Sequence, residues 1–149
     1  MKFEFSVDEG ETPPPSGFDL GHIDVWGSDG VATTRDRGPS WGVMIYLAVS
    51  SLLDGLRALL SGKSRWYESN AVDSSFPLAF TRGRDGSIET RCGGSLVDRS
   101  PAAGVAAALH VAAKQFADAH LDQLPPDDAG REDLRHSLAD FERFMCRPR

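Results

Sequence analysis

Cys92 stands directly before Gly93-Gly94. Backbone amides at two such glycines can form an anion-binding nest beside a thiolate, the arrangement that thiol-based transfer chemistry requires. That chemistry also needs a base, and His22, His110, His120 and His136 are all distant in sequence. The local reading of Cys92 is a small residue that closes a strand. Asp118, His120 and Asp122 alternate within DAHLD. Residues two apart on a helix point to different faces, so these three cannot converge on a metal while that helix is intact. His120 instead continues the apolar line through Phe116 near the helix end, where the C-terminal dipole favours an imidazole. His110 and His136 fall on polar faces.

GRDG and CGGS are glycine-rich, but neither has the spacing of a P-loop or a dinucleotide fingerprint. GRDG is better read as a hairpin tip. Asp24 lies between Ile23 and Val25 on a strand, so it faces away from both; inside a concave sheet it would be a candidate acid. The most localised cluster is basic and aromatic. Arg82, Arg84 and Arg91 gather on one hairpin, and Arg65, Trp66 and Tyr67 precede it. Arginine and large aromatics are the types enriched in binding hot spots. Arg65, Tyr67, Arg82 and Arg84 are therefore the candidate partner-binding residues. No residue is assigned a catalytic role, a metal or a cofactor.

The elements that must position these residues follow from periodicity. Phe3, Phe5 and Val7 alternate with Lys2, Glu4 and Ser6, which predicts a half-buried strand. Residues 10–17 form a proline-rich loop. Residues 18–26 predict a second strand whose apolar phase slips at Gly21–His22, a β-bulge signal. Val31 to Arg35 can return as a third. Ser40 after Pro39 reads as the N-cap of a helix over 40–61, apolar at 44, 45, 48, 49, 52, 53, 56, 59 and 60, with Gly42 and Gly55 suited to close approach to a sheet. Strands follow at 65–69, 76–82, 87–92 and 95–97. Ser100 as N-cap and Pro101 as first helical residue open a helix to about 121. A proline-containing loop over 122–128 leads to a last helix capped by Asp127 or Asp128. The order is βββ-α-βββ-αα, which predicts an α+β fold. A mostly antiparallel sheet of about five to six strands would carry the helices on one face.

The chain has 149 residues, which suits one domain spanning 1–149. A formal charge of −6 disfavours a general nucleic-acid binder. Glu4 and Asp8 interrupt any secretory leader, and the charge-free run Gly38–Leu53 is 16 residues long, short of a membrane span. Two cysteines cannot make a disulfide framework, and both are expected as reduced thiols in the cytoplasm. With 13 arginines against 3 lysines, the composition suggests a GC-rich bacterial source. The expectation is a bacterial, cytoplasmic, non-enzymatic protein-binding module, an immunity or antitoxin-type inhibitor being one form. The alternative is a small-molecule-binding protein or enzyme with a pocket between the long helix and the sheet.

Overall fold

The computed structural model describes residues 1–35, 42–69 and 76–147. The fold is α+β, with two antiparallel four-stranded sheets and three helices. In the first sheet β1 (Lys2–Val7) and β3 (Val31–Thr33) pair with β2 (Leu20–Trp26), and the two-residue β4 (Val43–Met44) also pairs with β2. α1 (Ile45–Leu60) follows. The second sheet runs β5 (Trp66–Ser69), β6 (Leu78–Arg82), β7 (Ser87–Cys92) and β8 (Ser95–Pro101) in sequence order. Then come α2 (Ala102–His120), a 3-10 turn at Leu121–Gln123, and α3 (Ala129–Met145).

The single sheet expected from the sequence is thus replaced by two. The reason is pairing: almost every strand bonds its neighbour in sequence, and α1 divides the strands into two sets. The sheets are stitched by the β2–β3 turn. Asp29 N–H donates to the Val97 carbonyl at 2.9 Å. Ser28 N–H donates to the Asp98 carboxylate at 3.1 Å, and Asp98 is 2 % exposed. Gly27 has no room for a side chain, because a Cβ there would lie 2.1 Å from the Val97 oxygen.

α1 is the central element. Ile45, Val49, Leu52, Leu53, Leu56 and Leu59 are all fully buried. The helix starts at Ile45 with Met44 as its N-cap, four residues later than an N-cap at Ser40 predicts, because Val43–Met44 is spent on β4. Pro39 and Ser40 lie outside the described residues. The inner faces of both sheets meet in this core, where Phe3 and Phe80 have ring centroids 6.4 Å apart. Phe116 of α2 packs on Tyr46 of α1 and Phe5 of β1. On α2, Val105, Leu109, Ala112, Ala113 and Phe116 recur at helical spacing and are buried, while Lys114 and Asp118 pair outside. Pro101 is the N-cap rather than the first helical residue, since Ser100 still belongs to β8.

The expected bulge at Gly21–His22 is not formed: β1 and β2 pair without interruption from Lys2↔Trp26 to Val7↔Gly21. The phase slip has another cause. Gly21 to Val25 are buried on both faces, so β2 does not alternate. A register shift occurs instead at Thr90/Arg91, between β7 and β8. The proline-rich loop is tied down at its end, where Gly17 N–H donates to Asp128 at 3.0 Å. The same carboxylate caps α3 by accepting from the Arg131 N–H. None of the helices among the described residues is long and apolar enough to cross a membrane.

Candidate functional site

The outer face of the first sheet carries Ser6 opposite His22, and Glu4 and Thr33 either side of Asp24. A polar face of this kind is ordinarily solvated, yet His22 and Asp24 are each 6 % exposed. His22 Nε2 lies 2.6 Å from Asp8 Oδ1, and Nδ1 lies 3.1 Å from Thr34 Oγ1. The His22 hydrogen bond, reinforced by the Gly10 N–H, holds the Asp8 carboxyl below its ordinary range. With Asp8 ionised, Nε2–H donates to it.

Hydroxyl, imidazole and carboxylate in that order form the relay that activates a nucleophile. Here the hydroxyl is turned inward. Thr34 is 1 % exposed, and its oxygen also accepts the Ile23 N–H at 3.1 Å. The chain of groups braces the loop after β1 against the end of β3. Asp24 is paired in the same way: one oxygen accepts the Thr33 hydroxyl, and the other lies 3.3 Å from Arg35 Nε. Arg35 then donates to Ser6 Oγ at 2.7 Å. Sequence spacing could not reveal this network, because Asp8, Thr34 and Arg35 reach it from outside the strands.

The arginine and aromatic cluster sits on the second sheet, where β5 is an edge strand. Arg65 and Arg84 are exposed. Trp66, passed over among the sequence candidates, is 64 % exposed. It heads a row in register across all four strands, Trp66–Thr81–Glu89–Arg99. Glu89 bridges Arg91 at 2.6 Å and Arg99 at 2.5 Å. These guanidinium contacts hold its carboxyl below the usual range and raise Arg99. Strand alternation carried the signal for Trp66, since Tyr67 and Ser69 take the inward phase and leave Trp66 and Glu68 outward.

Tyr67 and Arg82 are engaged within the fold. The Tyr67 hydroxyl donates to the Ser51 carbonyl at 3.0 Å, and burial raises its pKa. Arg82 Nη1 donates to the carbonyls of Leu59 and Leu60, at 3.2 and 2.7 Å. It thereby closes the C-terminal end of α1, where carbonyls lack helical partners and the dipole favours a cation.

The remaining candidates resolve into structure. Cys92 is half-buried at the end of β7, and Gly93-Gly94 is a two-residue hairpin loop. Both glycines have positive φ, 59° and 86°, as a type I′ turn demands. Gly86 likewise turns the GRDG hairpin. Asp118, His120 and Asp122 diverge: Asp118 bonds Lys114, the His120 ring packs tilted on Phe116 with centroids 4.9 Å apart, and Asp122 approaches Arg131. His136 is exposed, and His110 lies 3.0 Å from Glu142. An open cleft of about 840 Å3 lies beside Arg82, bounded by Leu60, Ser87, Ala102, Ala103 and Phe144.

The chain matches no protein-family model, and it has no significant match to a curated protein or a solved structure.

Proposed function

We propose that the chain is a non-enzymatic protein-binding module of the bacterial cytoplasm. Its partner surface is the corner of the second sheet around Arg65, Trp66 and Arg84, with Tyr67 and Arg82 holding that corner in place. A small acidic inhibitor of the immunity or antitoxin kind is the concrete form of this reading. The observation that carries it is Trp66, a large aromatic 64 % exposed on an edge strand beside an exposed arginine. Exposed tryptophan costs solvation and supplies rigid contact area, which is why it anchors interfaces. The edge strand adds backbone groups directed away from β6, of which the Trp66 carbonyl accepts from Ser64 Oγ.

The test begins with capture of partners from a bacterial lysate, followed by titration of the purified pair. Trp66→Ala is expected to weaken binding by at least about thirtyfold. Circular dichroism checks that the variant is folded. Binding within about twofold of the parent for both Trp66→Ala and Arg84→Ala removes this surface from consideration.

A small-molecule reading has the cleft of about 840 Å3 in its favour, since that size suits a metabolite. It requires a compound that raises the melting temperature of the parent and not of Ala103→Trp, whose indole would fill the cleft.

A further inference from the structure

The cleft of about 840 Å3 beside Arg82 lies where the ends of three helices meet the tip of the β6–β7 hairpin. Two cations line it, Arg82 from the end of β6 and Arg147 just beyond α3. Arg82 is clamped, since its Nη1 donates to the Leu59 and Leu60 carbonyls at 3.2 and 2.7 Å. Its Nε and Nη2 carry no hydrogen bond among the described residues.

Several arginines elsewhere face a carboxylate, as Arg35 faces Asp24 and Arg99 faces Glu89. Among the described residues Arg82 and Arg147 face none. Neither do Lys63 and Arg84, both exposed and within two residues of lining positions. The chain has 22 acidic side chains against 16 basic ones, so a gathering of unpaired cations at one cleft runs against its composition. Asp85 is the sole acid among the described lining residues. Its carboxylate is turned onto the Ser87 N–H and hydroxyl, at 3.0 and 2.7 Å. α2 brings no acid in its first turn. Much of the remaining wall is apolar, formed by Leu60, Ala103, Ala106, Phe144 and Met145.

A guanidinium fork matches the oxygens of a carboxylate or phosphate, and such charge-assisted bonds are stronger than neutral ones. A fork already clamped loses little side-chain freedom when it binds. The volume is that of a small-molecule site rather than of a bare ion, and the alanines and Phe144 favour an apolar body. Taking the cleft as a small-molecule site, as in the second reading above, we infer that it binds a small organic anion with an apolar body. The carboxylate or phosphate head sits on Arg82 and Arg147, and the body lies against Ala103, Ala106 and Phe144.

Calorimetric titration of the full chain with octanoate, octyl phosphate, octanol and octylammonium, each below its micelle concentration, tests this. Chemical-shift changes at Ala103 and Phe144 locate the bound probe. Octanoate and octyl phosphate are expected to bind there, and octanol at least about tenfold more weakly for want of a charged hydrogen bond. Octylammonium should not bind. Arg147 is exposed, so Arg147→Glu retains the fold. It should weaken both anions by at least about tenfold and leave octanol unchanged. Ala103→Trp should abolish binding of every probe. Octanol or octylammonium bound at Ala103 and Phe144 as tightly as octanoate overturns the anionic head and leaves the small-molecule cleft standing. No shift at either residue with any probe overturns both. Octanoate binding indifferent to Arg147→Glu, or to Ala103→Trp, also overturns the inference.

Discussion

The Tyr67 ring occupies the space that a side chain at Gly55 would need: a Cβ there would lie 2.2 Å from Tyr67 Cε2. This contact docks α1 on the edge strand of the second sheet. It also explains a glycine in mid-helix, where alanine would be favoured by about 1 kcal/mol. Gly55→Ala should therefore destabilise the protein by about 1–3 kcal/mol, because overpacking outweighs the gain in propensity. Urea denaturation measures the effect. Tyr67→Ala in the same chain should make Gly55→Ala harmless or stabilising.

Arg82 and Arg84 are two residues apart and should behave differently. Arg82→Ala leaves the Leu59 and Leu60 carbonyls without their charged donor. A loss of about 1–3 kcal/mol is expected. Arg84 is exposed, and Arg84→Ala should change stability by less than about 0.5 kcal/mol. Thermal melts of the two variants side by side decide this.

His120 gives a pH dependence of definite sign. A helix C-terminus by itself would raise its pKa. Burial wins and holds the imidazole below the usual value of about 6.5. The unfolded chain then takes up the proton first, so stability falls as pH drops through about 6.5 and levels off below the folded value. NMR titration should give a His120 midpoint below about 6.5. His120→Phe, which keeps a ring on Phe116, should flatten the melting temperature over that range.

Much of the core was legible because it is periodic. The apolar stripe of α1 and the inner face of α2 follow from spacing along one element, and the cap of α3 was narrowed to Asp127 or Asp128, of which Asp128 holds it. What was hidden depends on contact between elements. Strand alternation says nothing about partners, so two sheets read as one. Burial on both faces of β2 mimicked a bulge. Of the chosen binding residues, Tyr67 and Arg82 carry polar groups that α1 claims, and no local pattern announces that. Trp66 was in view but needed the inward phase of Tyr67 to be known before it could be placed outward.

The stitch at Asp98 bears on the order in which the molecule assembles. Strand pairings join neighbours in the chain, so both sheets can form from local hairpins, whereas Ser28 and Asp98 are 70 residues apart. Closing so long a loop costs entropy before any contact repays it, which places this junction after the folding transition state. A defect there should leave refolding almost untouched and quicken unfolding. In stopped-flow measurements, Asp98→Ala should therefore raise the unfolding limb while the folding limb stays with the parent. The two halves of the protein would then still find their shapes at the usual speed and merely part sooner.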